Sequence, residues 1–420
     1  MRLTPAHLDT ATAALRAVLP LEHPADSILR HFFRGNPMLG ANDRTFIAES
    51  IFGVLRHRFF LEHVAATTPR SLLLAYLAKF QGMNLRELLP FVSEAEAKWL
   101  SGIKAATPKS EPLAIEAEFP GWLVEKLRSF MPDTDILDLG RSLQQPASLD
   151  LRVNTLLANP NEILVLLGRD GIEGNITPYS PIGIRLTGKP AINRHELFLT
   201  GKVEVQDEGS QLLGYLLAPR RGEMVVDFCA GAGGKTLMLG ALMRSRGRIY
   251  AFDISEKRLS NLKPRLKRSG LSNLYPQRIA NENDIKVKRL TGKIDRVLVD
   301  APCSGLGTLR RNPDLKWRQS PQSIEELKRK QASILSSAAN LVKPGGRLIY
   351  ATCSFLPEEN REIVERFLVS HTRFKLLNCA ELLTQQKIPL DTGVYLQLSP
   401  DAHGTDGFFA AAMELAKKEA

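Results

Sequence analysis

Cysteine and long apolar runs are scarce in this chain. Its 420 residues include four cysteines, none in a C-x-x-C pair, which excludes a disulfide framework or a zinc knuckle. No two of the eight histidines stand at ligand spacing, so we expect no metal site. The longest apolar runs, such as Leu72–Ala78, fall far below the roughly 20 residues of a membrane span, and no signal-peptide core opens the chain. We therefore expect a cytoplasmic protein with reduced thiols.

Charge of one sign dominates. Lys and Arg number 56 against 45 Asp and Glu, a net charge of +11, which favours a nucleic acid or an acidic membrane surface as partner. Hydrophobic residues make up 44% of the chain, too many for a disordered protein. The length predicts two or three domains.

Residues up to about 110 have the apolar spacing of helices. The predicted helices are Asp43–Val64, Ser71–Phe80, Asn84–Val92 and, after a proline-containing linker at Ala105–Pro112, Trp122–Met131. From Leu149 short β-type runs appear, at Leu149–Val153, Ile182–Leu186, Phe198–Thr200 and Val203–Val205.

From about Tyr215 apolar strands alternate with amphipathic helices. The predicted strands are Met224–Phe228, Arg248–Phe252, Leu274–Ile279, Arg296–Val299 and Arg347–Thr352, and the helices between them are Thr236–Arg244, Glu256–Ser269 and Ser323–Val342. This order predicts an α/β fold with a mostly parallel, doubly wound sheet. Ligands of such sheets bind beyond the carboxyl ends of the strands.

A glycine-rich loop, Cys229–Thr236, follows the first of these strands. A P-loop would need glycine at Cys229, and a dinucleotide fingerprint would need glycine at Thr236, so both fail. A methyl-donor loop remains, and the next strand ends in Asp253, an acid that can accept hydrogen bonds from the hydroxyls of a ribose. A plain tight turn with a helix-capping Asp253 is the structural alternative.

Two cysteines, Cys303 and Cys353, each follow the end of a predicted strand. Two thiols beside a methyl donor indicate covalent catalysis of the kind that methylation at pyrimidine C5 requires. A thiolate that adds at C6 makes C5 nucleophilic, a base later removes the C5 proton, and Asp300 near N3 would stabilise charge on the ring. For Cys229 and Cys379 we expect buried core thiols.

These motifs carry a resemblance to a known family. Over roughly residues 118–420 the chain resembles the RNA cytosine-5 methyltransferases of the Sun-type (nucleolar protein) family, through Asp227–Thr236, Asp300–Ser304, Arg310–Trp317, Tyr350–Ser354, Leu356–Asn360 and Asp406–Phe409, with Leu151–Thr155 and Val205–Gln211 upstream. The resemblance implies a Rossmann-like S-adenosylmethionine methyltransferase domain with a small α+β RNA-recognition subdomain and an N-terminal helical domain.

The resemblance also implies roles for individual residues. Cys353 would be the nucleophile, Cys303 would assist product release, and Asp300 and Lys235 would lie at the reacting base or the donor. The donor-binding residues would be Cys229, Ala230, Gly231, Ala232, Gly233, Gly234, Lys235, Asp253, Arg258, Asn281 and Asp300. The substrate would be structured RNA, with 16S rRNA favoured and tRNA as an alternative, and the enzyme would be a monomer.

The chain departs from the family pattern at three places. Gly231-Ala232 replaces the usual Ala-Pro, which predicts a more flexible loop, and Asn281 replaces an acid expected on the adenine side. The N-terminal region resembles the family's NusB-like helical domain mainly through Asn42–His57. These departures favour a second hypothesis, an RNA-binding ribosome-assembly factor with a weakened donor site. A third hypothesis, a nicotinamide dehydrogenase, is disfavoured because Thr236 stands where the dinucleotide fingerprint needs glycine.

Basic residues cluster in two places. One predicted helix carries Lys257, Arg258, Lys263, Arg265, Lys267 and Arg268, for which a solvated helix face is an equal alternative to RNA contact. The second cluster follows Cys303, and we expect RNA contact from Arg310, Arg311, Lys316 and Trp317, together with Arg152. The predicted domains are 1–115 (helical), 116–210 (RNA recognition) and 211–420 (catalytic).

Overall fold

The computed structural model describes residues 3–105 and 112–417. The predicted linker Ala105–Pro112 therefore lies, except for its two end residues, outside the described residues. The chain divides into two compact units, one formed by the residues up to 146 with 308–321 and the other by 147–307 with the residues from 322 onward. Within the described ranges, no helix is long and apolar enough to cross a membrane.

The first unit is helical. Its helices are α1 (Pro5–Val18), α2 (Ala25–Gly35), α3 (Ala41–Arg56), α4 (Arg58–Val64), α5 (Pro69–Lys79), α6 (Leu85–Leu88), α7 (Glu94–Ala105), α8 (Leu113–Glu116), α9 (Gly121–Arg128), α10 (Asp133–Gln144) and, from the later segment, α17 (Leu315–Arg318). Capping chemistry sets some of their starts: the Thr4 and Thr68 side chains accept hydrogen bonds from first-turn amides of α1 and α5, and Pro occupies the first helical position of both. The apolar stripes of α1, α3 and α5 form the core of the unit.

The predicted helix Asp43–Val64 is two helices, α3 and α4, which meet at His57. The cause lies far along the chain. The buried Glu118 carboxylate accepts hydrogen bonds from the amides of Phe59 and Phe60, each at 3.0 Å. Because these amides belong to the first turn of α4, Glu118 caps a new helix at this point.

The predicted boundary between residues 115 and 116 falls inside the helical unit. Helix α8 packs against α4 and α10, and α9 packs against α10, so these helices belong with the N-terminal ones. The boundary between the units lies at residue 146, just before the first strand, which begins at Leu149.

The second unit begins with a four-stranded antiparallel sheet of order β2-β3-β1-β4. Its elements are β1 (Leu149–Val153), α11 (Pro160–Arg169), β2 (Gly174–Ile176), β3 (Gly183–Leu186), α12 (Glu196–Leu199) and β4 (Val203–Val205). The predicted strand Phe198–Thr200 is wrong, because these residues lie in and just after α12. His195 Nδ1 accepts a hydrogen bond from the Leu197 amide at 3.2 Å and so caps this short helix. The predicted strand lies after this cap, and its own three residues do not indicate a helix.

The larger sheet follows, with the order β10-β12-β9-β8-β5-β6-β7 and β11 paired to β12. Its elements and helices are α13 (Glu208–Leu217), β5 (Met224–Asp227), α14 (Gly234–Leu242), β6 (Arg248–Asp253), α15 (Glu256–Ser269), β7 (Leu274–Arg278), α16 (Ile285–Lys288), β8 (Ile294–Asp300), α18 (Pro321–Ala339), β9 (Val342–Thr352), α19 (Arg361–Ser370), β10 (Phe374–Leu377), α20 (Cys379–Gln385), β11 (Leu396–Leu398), α21 (Pro400–His403) and β12 (Phe408–Leu415). Strands β5 to β9 are parallel, which confirms the doubly wound α/β prediction. The antiparallel edge of β10, β11 and β12 was not predicted.

Both faces of the large sheet are covered, and the central strands show why their sequences are continuously apolar. In β8, Leu298 packs into one core while Val297 and Val299 pack into the other. The chain reverses its direction of winding between the neighbouring strands β5 and β8, and the crevice outside such a switch point is where ligands of these sheets bind.

Candidate active site

A cavity of about 620 Å³ opens at the carboxyl ends of the parallel strands. Its wall brings together the two cysteines, Asp253, Asp300 and the first part of the glycine loop, as the order of strands and motifs predicted. The full set of lining residues is Phe228, Cys229, Ala230, Gly231, Ala232, Asp253, Ile254, Ser255, Arg258, Ile279, Glu282, Asp300, Ala301, Pro302, Cys303, Lys330, Ile334 and Cys353. A volume of this size lies within the range of about 300–1,000 Å³ that holds cofactor-sized ligands.

The glycine loop is hydrogen-bonded at three of its residues, Gly231, Ala232 and Gly234. The greater flexibility expected from Gly231-Ala232 stays a prediction. The Gly231 amide donates to Asp253 Oδ2 at 2.8 Å. Arg265 Nη1 donates to the Ala232 carbonyl at 2.6 Å, and Arg152 Nη1 donates to the Gly234 carbonyl. Side chains of α15 and of β1 thus bind two carbonyls of the loop.

Asp253 lies where the ribose of a nucleoside would be expected. Besides the Gly231 amide, its carboxylate accepts a hydrogen bond from the Ser255 amide at 2.7 Å. These two bonds orient the side chain toward the cavity and leave further lone pairs for ligand hydroxyls.

Lys235 leaves the first turn of α14 and forms an ion pair with Asp300, with 2.7 Å between Nζ and Oδ2. Burial lowers the pKa of Lys235, but the charge and hydrogen bond of Asp300 raise it, so the net pKa is raised and the side chain is a cation. Lys235 also interacts electrostatically with Cys353. Below this pair, buried Asp227 accepts a hydrogen bond from the Thr236 hydroxyl at 2.6 Å, and burial raises the pKa of Asp227 to about 7.

The two cysteines that follow β8 and β9 are in contact. Cys303 Sγ lies 3.3 Å from Cys353 Sγ and accepts a hydrogen bond from the Cys353 amide at 3.3 Å. The hydrogen bond to Cys353, burial and the surrounding negative charge raise the pKa of Cys303 well above that of a free thiol. Either sulfur can be the S–H donor of this contact.

The other two cysteines differ from each other. Cys379 is fully buried at the start of α20, as expected for a core thiol, and burial raises its pKa to about 11. Cys229 was also expected in the core, but it packs against the core on one side and lines the cavity on the other. Burial and the nearby aspartates raise the pKa of Cys229, so its thiol is uncharged where it lines the cavity.

The structure places an acid next to Asn281, the residue at which the family pattern predicts one. Asn281 accepts a hydrogen bond from the Asn283 amide at 2.9 Å in a tight turn and is not among the residues of the cavity wall. Glu282, one residue further on, lines the cavity instead, and Ser333 donates to its carboxylate at 2.5 Å. From the sequence, Glu282 could have been found only by allowing a shift of one residue in the turn after β7.

The basic cluster after Cys303 is largely internal to the helical unit. Lys316 is 4% exposed, and its Nζ donates to Glu118 Oε2 at 3.3 Å and to the Arg56 and Glu118 carbonyls at 2.8 Å. Trp317 stacks on Phe59 with 4.1 Å between ring centroids, and Arg310 is 7% exposed. Arg310 and Lys316 are thus buried in this segment. The RNA contact expected from Arg310, Arg311, Lys316 and Trp317 stays a prediction.

Arg152 and part of the basic helix α15 are also internal. Arg152 is 2% exposed and binds Gln206 at 2.9 Å as well as the glycine loop. Arg265 and Arg268 bind the carboxylate of Glu204 in β4, with shortest distances of 2.9 and 2.6 Å. The remaining cations of this helix, Lys257, Arg258, Lys263 and Lys267, are exposed.

The parallel sheet, the loop after its first strand and the cavity at the switch point define a Rossmann-like methyltransferase domain. Residues 214–414 match the family model described as 16S rRNA methyltransferase RsmB/F, and residues 119–193 match the model of the ferredoxin-like domain of RsmF/B-like methyltransferases. Together the two matches take in about two thirds of the chain, and over these residues the chain is similar to the RsmB/F methyltransferases.

Individual proteins are similar over the same part of the chain. The probable ribosomal RNA small subunit methyltransferase B of Synechocystis sp. is 38% identical over 276 residues, which are 65% of this chain and 61% of that protein. The Bacillus subtilis protein of the same name is 35% identical over 272 residues, 64% of this chain and 60% of that protein. The matched part thus spans about three fifths of the length of these curated relatives.

Solved structures share the fold. The crystal structure of PH0851 has a TM-score of 0.79 at 28% identity and covers 99% of both chains. A methyltransferase homolog protein from Pyrococcus horikoshii has a TM-score of 0.63 at 27% identity, with coverage of 74% of this chain and all of that one.

Proposed function

We propose that this protein transfers a methyl group from S-adenosylmethionine to C5 of a cytosine in 16S rRNA, through a covalent bond between Cys353 and C6 of the base. The main support for this proposal is the contact between the thiols of Cys303 and Cys353, 3.3 Å apart, at a cavity that Asp253 and Asp300 also line. The names of the relatives, small subunit rRNA methyltransferase B, support the choice of substrate. We place the reaction in the cytoplasm.

The cavity fits the methyl donor in shape and chemistry. Asp253 is oriented to accept hydrogen bonds from ribose hydroxyls, while Ile254, Ile279 and Ile334 supply apolar wall for a purine. Glu282 and Arg258 lie on the same wall and are the polar groups for the rest of the donor. When bound, S-adenosylmethionine supplies an electrophilic methyl group on its sulfonium.

The residues then divide the chemistry. Cys353 attacks C6 of the cytosine as the thiolate, and the Lys235 cation places positive charge near that sulfur. Electron density gained by the ring reaches C5. The Lys235–Asp300 ion pair lies beside the ring, and its lysine cation stabilises that charge while Asp300 holds the cation in place. After C5 has been methylated, Cys303, in contact with Cys353, assists product release at or near the base that removes the C5 proton. The electrons of that C–H bond restore the C5–C6 double bond, and the C6–S bond breaks to release the Cys353 thiolate.

Two cysteine variants test this proposal. With labelled donor and 16S rRNA, Cys353→Ala abolishes methyl transfer, whereas Cys303→Ala accumulates an RNA–protein adduct that survives denaturing electrophoresis. Full turnover by Cys353→Ala, together with no adduct from Cys303→Ala, contradicts the proposed roles. Bisulfite sequencing of rRNA and tRNA from cells with and without the protein identifies the target.

Calorimetry with S-adenosylmethionine tests the donor site independently. Binding by the purified chain is expected because the loop is anchored at Ala232, Gly234 and Gly231. A folded protein that binds RNA but not the donor would contradict the enzyme and favour an assembly factor.

A further inference from the structure

One buried carboxylate joins the two cysteine loops. Glu359 lies after β9 and is fully buried. Its Oε1 accepts hydrogen bonds from the Ser304 amide at 2.8 Å and from Gln331 Nε2 at 2.9 Å. Its Oε2 accepts hydrogen bonds from the hydroxyls of Ser304 at 2.5 Å and Ser354 at 2.6 Å.

The two serines are the immediate neighbours of the two cysteines. Ser304 follows Cys303 in the loop after β8, and Ser354 follows Cys353 in the loop after β9. All four donors are neutral, so the buried charge is stabilised by hydrogen bonds that come from these two loops and from α18. A backbone hydrogen bond also joins the two loops, because the Gly307 amide donates to the Cys353 carbonyl at 2.9 Å.

We propose that Glu359 is a positioning residue that holds the Cys303 and Cys353 loops at the spacing of the thiol pair. Its carboxylate has two oxygens and about four lone-pair sites, and each site has a donor. Glutamine at this position would put an NH₂ donor where one carboxylate oxygen accepts. Either both serine hydroxyls must turn to accept from it, or the Ser304 amide meets a second donor.

The charge has a second effect on the same pair. After the hydrogen bond to Cys353 and burial, the negative charge of Glu359 adds to the causes that raise the pKa of Cys303. This charge favours the thiol form of Cys303 beside Cys353. The catalytic part of this inference rests on the proposed function, while the spacing of the thiols is a property of the protein alone.

Two measurements on Glu359→Gln test the proposal. The first is steady-state methyl transfer, where we expect kcat to fall about 100-fold while KM for donor and RNA changes less than about twofold, because the thiols are misplaced and the donor wall is intact. The second is the rate at which diamide links Cys303 to Cys353, found by peptide mass spectrometry. Diamide takes two electrons and two protons from the thiols and becomes a hydrazine. Linkage brings the two sulfurs from contact to a bond of about 2.05 Å, and misplaced thiols reach this distance less often. We therefore expect the linkage rate of Glu359→Gln to fall about fivefold or more.

Tyr350→Phe is the matched control. Tyr350 is fully buried and donates to the Glu359 carbonyl at 2.6 Å, so this change removes a buried hydrogen bond from the same residue and leaves its carboxylate contacts in place. Both kcat and the linkage rate are expected to stay within about twofold of the original protein.

Each result decides the question. A folded Glu359→Gln protein with unchanged kcat and unchanged linkage overturns the proposal, and so does a lower kcat with unchanged linkage. If this variant does not fold, Ser304→Ala and Ser354→Ala each remove one donor, and unchanged linkage in both overturns it. If the original protein does not methylate cytosine, the proposed function fails and the linkage rates still decide the role of Glu359.

Discussion

Lys235 Nζ lies 2.7 Å from Asp300 Oδ2, and this ion pair joins the start of α14 to the end of β8. The pair is mostly buried, with 16% of the lysine side chain and 28% of the aspartate side chain exposed. It therefore places a fixed positive charge between the glycine loop and the cysteines, where water screens it little.

Removing this charge is expected to slow the chemistry. Lys235→Met leaves Asp300 without its cation and removes the positive charge near Cys353, so methyl transfer falls about 100- to 1,000-fold in single-turnover assays with labelled donor. Lys375→Met, at an exposed lysine on edge strand β10, serves as the control and retains full activity. A rate for Lys235→Met equal to that of the control would refute this role of Lys235.

The glycine loop permits a comparison of two substitutions. Gly233 has φ +78°, and a Cβ there would lie 2.2 Å from Leu262 Cδ1. Gly231 has φ +56° and open space around its Cβ position. We expect Gly233→Ala to lower the free energy of unfolding by about 2–4 kcal/mol and Gly231→Ala by about 1 kcal/mol, since only the first adds a clash to the left-handed strain. Urea unfolding measures both, and equal losses would show that Leu262 yields freely.

Arg265 and Arg268 offer a matched pair for the anchoring of the loop. Both bind Glu204, but only Arg265 also donates to the Ala232 carbonyl. Arg265→Gln is therefore expected to raise the Kd for S-adenosylmethionine about tenfold, and Arg268→Gln less than about twofold, in calorimetric titrations. Similar affinities for the two variants would mean that the loop holds its shape without Arg265.

The buried ion pair of the helical unit is expected to matter more than exposed ones. Burial raises the pKa of Glu118 and lowers the pKa of Lys316, so each depends on the other for its charge. Glu118→Ala leaves Lys316 buried without its partner and frees the first amides of α4, and we expect a loss of about 3–5 kcal/mol. Asp26→Ala breaks an exposed pair with Arg30 and should cost less than about 1 kcal/mol. Thermal unfolding of the two variants side by side gives the comparison, and equal midpoints would contradict it.

Asp227 predicts a pH dependence of stability. Burial raises its pKa in the folded protein to about 7 from an ordinary value of 3.8, so between these values the native state holds a proton that the unfolded state has released. This contribution to stability is complete below pH 3.8 and is lost as the pH rises through about 7. Asp227→Asn cannot titrate, so the free energy of unfolding of the original protein minus that of the variant should be larger at pH 5 than at pH 8. An equal difference at both pH values would place the pKa of Asp227 in its ordinary range.

Much of the catalytic sheet could be predicted from the sequence because its signals are local. Strands β5, β6 and β8 are mainly apolar runs that each end in an aspartate, and α15 matches its predicted bounds of Glu256–Ser269. Parallel strands present their carboxyl ends at one edge, so motifs after four strands could be assigned to one cavity before the structure was known. The short helix α12 and the edge strands β10 to β12 lacked such signals.

The chain's residues alone therefore determined the α/β class, the parallel order of motifs and the meeting of Cys303 with Cys353. Tertiary structure decided which charges face solvent and which lie inside. Lys316 and Arg152 belong to basic motifs, yet Glu118 and the glycine loop bind them in the interior. Hydrogen bonds of this kind join residues far apart in the chain, as Glu359 joins Ser304, and no local pattern encodes a partner 55 residues away. Burial makes such partners obligatory, because a polar group removed from water needs another to bind.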